Sequence, residues 1–311
     1  MNTTFHHLPV LAAEVIDSLN IKPDGIYVDC TVGGAGHSLL IAEKLTTGRL
    51  ICLDQDENAI NAATTRLASY GEMVKIVHSN FEQVGQVLKQ LGIEKIDGAL
   101  IDLGISSHQI DEAERGFSYM KDAPLDMRMD RRQTLTAYDI VNSYSQEELA
   151  RILRIWGEEK FAGSIARRIC EQRNTAPINT TLELASIIER ALPTKERHKG
   201  SHPAKKTFQA LRIEVNRELD IIQPTLKALC SHLSLGGRLC VISFHSLEDR
   251  IVKTTFADFA SQCVCSKKMP VCTCGKQATA KIVGKSVTAS EEELLLNQRA
   301  KSARLRVIEK I

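Results

Sequence analysis

The sequence predicts an α/β fold: a doubly wound, mostly parallel sheet with a helical domain inserted into it. Three observations predict it. A strand, a glycine turn and a helix start follow one another over Tyr27–Ser38. Strand and helix patterns then alternate as far as Asp102, the order that parallel sheets require. The alternation stops between residues 111 and 206 and resumes beyond them.

Each element has its own signal. Val10, Leu11, Val15, Ile16 and Leu19 suit a lead-in helix over residues 5–20. Strands are expected near 26–30, 49–53, 73–78 and 96–102, separated by helices over 37–45, 56–69 and from Val84 to Leu91. Leu149, Ile152, Leu153 and Trp156 are at helical spacing, as are Phe161, Ile165 and Ile169. Trp156 and Phe161 read as core residues of the inserted domain. Phe208, Leu211, Val215, Leu219 and Ile222 predict one helix face, extended past Pro224 by Leu226 and Leu229. Gly236–Gly237 turns into a fifth strand, Arg238–Phe244, and a helix follows from about Leu247. Ser302–Glu309 alternates like a closing strand, and residues 275–300 read as a long polar loop. Residues 1–110 and 207–311 then form the sheet domain, and 111–206 the inserted helical substrate-recognition domain.

The glycine turn is the first candidate site. Gly33, Gly34 and Gly36 permit positive φ and leave no side chain between backbone and ligand. A strand, a glycine turn and a helix N-terminus bring backbone N–H groups to a polar ligand. The same three glycines also fit a tight turn with no ligand. Asp54 ends the second strand, 18 residues after Gly36, where a carboxylate can accept both ribose hydroxyls. Two cofactor classes carry such a ribose: a dinucleotide and S-adenosylmethionine. The third glycine of the dinucleotide fingerprint is missing, because His37, Ser38 and Leu39 follow Gly36. Asp29 instead precedes the glycines, which favours S-adenosylmethionine. Phe81, after the third strand, is placed to stack on adenine or to serve as a core residue at a helix start. Asp102 puts a carboxylate at the C-terminal end of the fourth strand, where ligands bind in such sheets.

Composition adds bounds. The chain has 311 residues, 43% hydrophobic and 25% charged, with a formal net charge of +2. A surface for nucleic acid must therefore come from local clustering. Between Arg190 and Arg212 lie Arg190, Lys195, Arg197, Lys199, Lys205, Lys206 and Arg212 against one acid, Glu196. That cluster suits phosphate contacts or a solvated loop. Arg128, Arg131 and Arg132 form a second set, although Pro124–Arg128 also reads as a structural turn. No apolar run is long enough to span a membrane and no signal peptide is legible. Nine cysteines scattered through apparent strands and helices argue for the reducing cytoplasm.

Six blocks in order carry a resemblance. They are Asp29–Ser38, Asp102–Ser107, Glu114–Met120, Pro124–Met129, Thr207–Ile213 and Ser243–Arg250. Together they resemble the RsmH (MraW) family of bacterial ribosomal RNA methyltransferases, from about Thr4 to the last strand. The resemblance implies a Rossmann-like class I methyltransferase sheet and S-adenosyl-L-methionine as cofactor. It implies methyl transfer to the exocyclic N4 of one cytidine in the decoding region of 16S rRNA, within the small ribosomal subunit. It places the cofactor on Ala35, Gly36, His37, Asp54, Phe81, Asp102 and Gln109, of which His37 and Gln109 enter only through the resemblance. The oligomeric state stays open, a homodimer included.

A cytosine amine is a poor nucleophile, so hydrogen-bond acceptors must align it. The Asp/Asn-Pro-Pro-aromatic turn used by many amino methyltransferases is absent, since Asp102-Leu103-Gly104 stands there. Asp102 is the first candidate acceptor and His245, after the fifth strand, the second. Ser246 also reads as a helix N-cap. Arg128, Lys205, Lys206 and Arg212 are the expected substrate contacts. Cys263-x-Cys265 and Cys272-x-Cys274 have the look of a metal clip, but C-x-C is tighter than the usual C-x-x-C. The resemblance implies that this cysteine loop is not shared by every member of the family and is peripheral to catalysis; free thiols and bound zinc both fit it, free thiols the better. Two other functions remain: a nicotinamide-dependent oxidoreductase, and a non-catalytic ribosome assembly factor with a vestigial pocket.

Overall fold

The computed structural model describes residues 9–197, 200, 202–263, 265 and 274–311. The chain divides into two units, one holding residues up to Gly104 and from Leu219 onward, the other Ile105–Glu218. The inserted unit thus begins before residue 111 and ends after residue 206.

The first unit opens with α1 (Ala12–Leu19), which buries Val15 and Leu19. Residues 5–8 of the expected lead-in helix lie outside the described residues. Three βα repeats and a fourth strand follow: β1 (Ile26–Asp29), α2 (Gly36–Ala42), β2 (Arg49–Asp54), α3 (Glu57–Arg66), β3 (Val74–His78), α4 (Val84–Gln90) and β4 (Ile96–Asp102). Val28, Leu50, Leu53, Ile96, Ala99, Leu100 and Ile101 are fully buried, the near-continuous apolar run of strands covered on both faces. The strands pair in parallel, with Val28 opposite Ile51 on one side and Ala99 on the other.

The second unit is helical: α5 (Ser107–Asp111), α6 (Ala137–Ser143), α7 (Gln146–Ile155), α8 (Ala162–Arg173), α9 (Thr181–Ala191), α10 (Thr194–Arg197) and α11 (Lys205–Asn216). Helices α6, α7 and α9 each start at a Thr or Ser whose side chain accepts a backbone N–H while an acid three residues on reaches back. Leu149, Ile152, Leu153, Ile165, Ile169, Leu184, Ile188, Phe208 and Leu211 form its core. Trp156 packs against that core and donates its indole N–H to Glu214 Oε2 at 2.7 Å.

The single helix expected across Pro224 is two. Helix α11 ends at Arg217, which takes a left-handed φ of 52°, and α12 (Ile222–His232) starts afresh. Pro224 occupies the first turn of α12, where a missing N–H costs no intrahelical bond. The first unit then resumes with β5 (Leu233–Ser243) and α13 (Ser246–Ala260). Residues 275–300 are not a bare loop. They include β6 (Ala280–Ile282), β7 (Val287–Thr288) and α14 (Glu291–Leu296), followed by β8 (Arg304–Lys310). These strands are too short to print an alternation. In the first turn of α14, Glu293 accepts the N–H of Leu11 on its Oε1 at 2.7 Å.

The sheet runs β3-β2-β1-β4-β5-β8-β6, with β7 also on β8. Strands β1 to β5 are parallel, whereas β8 runs antiparallel to β5, β6 and β7. The strand order reverses between β1 and β4, so a crevice opens at their C-terminal ends. Among the described residues no helix is long and apolar enough to cross a membrane.

Candidate active site

The polar residues of the first unit gather at that reversal point. Asp29 ends β1, Asp54 ends β2 and Asp102 ends β4. Asp29 is buried and spends its oxygens on the turn: one accepts Thr31 N–H at 3.1 Å, the other the Ser38 hydroxyl at 2.6 Å. Burial pushes its carboxyl pKa up. Gly33 and Ala35 both take left-handed φ, 48° and 59°. Arg66 fixes the turn from outside by donating to Gly34 O at 2.7 Å.

The glycines do different jobs. A Cβ on Gly34 would meet nothing within 4 Å, so the space before it is open. A Cβ on Gly36 would come within 3.1 Å of Pro9. Pro9 thus packs against the bare Cα of Gly36. Ala35 is wholly buried, with its methyl in the core, so it can face a ligand only through its backbone.

His37 lies in the first turn of α2 and is 6% exposed, not a surface cap. Its Nε2 is 2.9 Å from Val10 O. A carbonyl only accepts, so Nε2 carries the proton and Nδ1 a lone pair. Nδ1 stands 3.9 Å from Asp102 Oδ2. Burial pushes the imidazole pKa down, and the ring is neutral at physiological pH.

Asp54 accepts Gly33 N–H on Oδ2 and Asp56 N–H on Oδ1, both at 2.9 Å. Each oxygen keeps a further lone pair for a hydroxyl donor. Burial pushes this carboxyl up to about 6 against those two bonds. Phe81 opens a short 3-10 turn after β3, half-buried, with Asn80 as its cap. Asn80 Nδ2 in turn donates to Gln55 Oε1 at 2.7 Å, joining the loops after β2 and β3.

Asp102 is the most telling group. Its backbone N–H donates to Thr31 Oγ1 at 2.7 Å. Its Oδ1 is buried and, among the described residues, has no hydrogen-bond partner. Burial pushes its carboxyl pKa up, and the charges of Asp29 and Glu248 push it further. A buried acceptor without a donor is costly unless a ligand supplies one.

His245 lies after β5 as the N-cap of α13, a place expected of Ser246. Its Nδ1 accepts Glu248 N–H at 3.4 Å, and Glu248 Oε2 accepts the N–H groups of Phe244, at 2.7 Å, and His245, at 3.2 Å. Its Nε2 lies 3.2 Å from Glu248 Oε1, off the hydrogen-bond line. Glu248 is itself 1% exposed, a buried carboxylate beside the cap. Thr31, Ser38, Arg66 and Gln55 were missed as parts of the site, because the partners of their side chains are 9 to 71 residues away in sequence.

Gln109 belongs to the helical unit, where it is buried and forms a capping box with Ser106. The substrate candidates divide. Arg128 grips Asp126 through Nε and Nη2, at 2.9 and 2.8 Å, and gives Nη1 to Gln133 O. Arg212 is largely buried in an ion pair with Glu218 at 2.8 Å. Both guanidiniums are engaged inside the unit, in ion pairs with Asp126 and Glu218. Lys205 and Lys206 are exposed at the start of α11, and Lys206 reaches Glu158 O at 3.0 Å. Lys199 and His198 lie outside the described residues. His202 stacks on Tyr119 at 4.5 Å.

The family model of the MraW methylases matches residues 4–311. The chain belongs to the MraW methylase family. A ribosomal RNA small subunit methyltransferase H from Clostridioides difficile (strain 630) is 54% identical over 309 residues, 99% of each chain. One from Brevibacillus brevis is 53% identical over 310 residues, again 99% of each. A solved rRNA methylase from Streptococcus thermophilus aligns with 96% of this chain at 10% identity and a TM-score of 0.43. The MraW family is one of S-adenosylmethionine-dependent methyltransferases, which sets the nicotinamide alternative aside. The residues present fit that cofactor: an open glycine turn, a ribose-type carboxylate at Asp54, and an unpartnered acceptor at Asp102.

Proposed function

We propose that this MraW-family chain methylates small-subunit ribosomal RNA, on the exocyclic N4 of one cytidine in the decoding region. S-adenosylmethionine supplies the methyl group as an electrophilic sulfonium. Asp54 would hold its ribose, Phe81 its adenine, and the Gly33–Gly36 backbone its polar tail. The observation that carries the reading is the buried, unpartnered Oδ1 of Asp102 at the end of β4. A weakly nucleophilic amine needs such an acceptor to orient its lone pair, and the acceptor counts most when the nitrogen pyramidalises. The amine becomes acidic once alkylated, so no strong base is required. A base attacked inside an RNA stack must first leave it.

Nitrogen is favoured over ring carbon for a second reason. Ring-carbon methylation of pyrimidines commonly begins with an attacking thiolate. The thiols of Cys30, Cys52 and Cys240 are buried in the sheet, and burial pushes their pKa values far up. They stay protonated and out of reach. Exposed Lys205 and Lys206 are the proposed phosphate contacts, and the helical unit the substrate-recognition part. His245 is proposed as a second acceptor beside Asp102.

Mass mapping of small-subunit rRNA from cells lacking this protein tests the proposal. One cytidine should lose a base methyl and regain it when the wild-type chain returns. Restoration by Asp102→Ala to the wild-type level would remove Asp102 from the reaction, and a methyl still present in cells lacking the protein would favour the non-catalytic assembly role.

A further inference from the structure

We propose that Cys263, Cys265 and Cys274 are ligands of a structural zinc ion at the far end of α13. Their sulfurs all lie within 4.8 Å of one another. Cys263 Sγ and Cys274 Sγ are 3.8 Å apart. Tetrahedral zinc holds thiolates at about 2.3 Å, so its sulfur–sulfur edge is about 3.8 Å, the same separation. A disulfide would need a distance near 2.05 Å and would use only two of the three sulfurs. The backbone N–H of Cys265 also donates to Cys263 Sγ at 3.3 Å. That bond favours the thiolate over the thiol, and thiolates are what a soft metal takes. Cys272, the fourth cysteine of the sequence clip, lies outside the described residues; the three others define the site.

The surroundings give the ion a task. Just after the cluster, Lys276 Nζ donates to Asp258 O at 2.7 Å and Thr279 N–H to Phe259 O at 2.8 Å. The chain then enters β6, which pairs with β8. A metal here fastens the last turn of α13 to the edge of the sheet. Helix α13 has 15 residues, about 22 Å at 1.5 Å per residue, with His245 capping its other end. An ion at that distance takes no part in methyl transfer. It stabilises the helix that carries His245 by tying Cys263 and Cys265, just past its last turn, to Cys274.

The test uses the intact chain purified from zinc-replete cells without a polyhistidine tag. Elemental mass spectrometry should find about one zinc per chain. Stripped protein titrated with cobalt(II) should develop an intense thiolate-to-cobalt band, a readout that needs no variant to fold. Cys263→Ser with Cys274→Ser should lose the metal and the band, while Cys170→Ser keeps both. Chelation should lower the melting temperature and leave the methylation rate per folded molecule unchanged. Protein that carries no metal and gives no cobalt–thiolate band overturns the proposal. So does a Cys263–Cys274 disulfide in the freshly purified chain, or full metal retention by the double variant.

Discussion

The backbone N–H of Asp102 is held by the side chain of Thr31, at 2.7 Å. One hydroxyl thereby couples the end of β4 to the glycine turn after β1, across the point where strand order reverses. The carboxylate proposed to align the amine and the turn proposed to hold the cofactor share a single hinge pin. Thr31→Ala should cost about 1 kcal/mol of stability, the usual net worth of a hydrogen bond. It should also slow single-turnover methylation, with Thr31→Ser restoring most of both. Denaturant melts and rapid-quench rates on the two variants check this, and an unchanged rate in Thr31→Ala would detach the turn from Asp102.

Asp54 accepts two backbone N–H groups as well as the proposed ribose. Asp54→Asn keeps an acceptor oxygen for the turn and removes the charge. Cofactor affinity should fall by about 1–3 kcal/mol by calorimetry, with a lowered melting temperature because the amide NH2 cannot accept the second backbone N–H. Wild-type affinity would place the ribose elsewhere.

The two raised carboxyls predict distinct pH dependences. Asp54 titrates at about 6, and hydroxyl donors bind its ionised form. Affinity for S-adenosylmethionine and for S-adenosylhomocysteine should therefore be full above that pH and decline together below it. Asp102, also raised, gains its charge more readily beside a cation. The sulfonium is cationic and the homocysteine sulfur is neutral. The ratio of the two affinities should therefore rise with pH in favour of the sulfonium. Calorimetry in buffers of differing ionisation enthalpy should show extra proton release for S-adenosylmethionine alone. Equal proton counts would mean that Asp102 does not face the sulfur.

His245 has a structural duty as the cap of α13, so alanine alone is ambiguous. His245→Ala should lower the single-turnover rate at least about tenfold, roughly 1.4 kcal/mol in barrier, and lose about 1 kcal/mol of stability with the cap. His245→Asn restores a good cap without an imidazole. If Asn recovers stability but not rate, the ring acts on substrate. If Asn recovers both, the histidine only holds the loop.

Lys205→Ala with Lys206→Ala should weaken binding to small subunits and flatten its salt dependence, leaving cofactor affinity unaltered. Arg212→Ala should act differently. It leaves Glu218 buried without its partner, and destabilisation should dominate at about 3 kcal/mol or more. Filter binding across a salt series, beside thermal melts, separates the two effects. An unchanged salt slope for the lysine pair would move the RNA to another face.

The sheet, the turn and the acids at strand ends were legible because each rests on local pattern: apolar runs, glycines, a carboxylate at a fixed spacing. What joins them was not. Thr31 to Asp102, Arg66 to Gly34 and Glu293 to Leu11 are contacts between segments distant in sequence, and single-residue spacing does not encode them. The arginines show the same limit. Arg128 and Arg212 sit among basic residues in sequence, yet their acids, Asp126 and Glu218, claim them in space. The break between α11 and α12 was hidden because the apolar spacing of Val215, Leu219 and Ile222 continues through Arg217.

Strand β8 lies between β5 and β6, although it is the last strand of the chain. On the ribosome the sheet therefore stays open along β5 until residues 304–310 have left the exit tunnel, and β6 waits as a three-residue segment with nothing to pair. The nascent protein presents an unpaired hydrophobic strand edge for the whole of that interval, an aggregation hazard that chaperones exist to cover. A stop codon or a proteolytic cut only a few residues before Arg304 would make that state permanent. Loss of residues 304–310 should thus be felt as loss of the whole sheet edge, and chains that lack them should be insoluble rather than merely weakened.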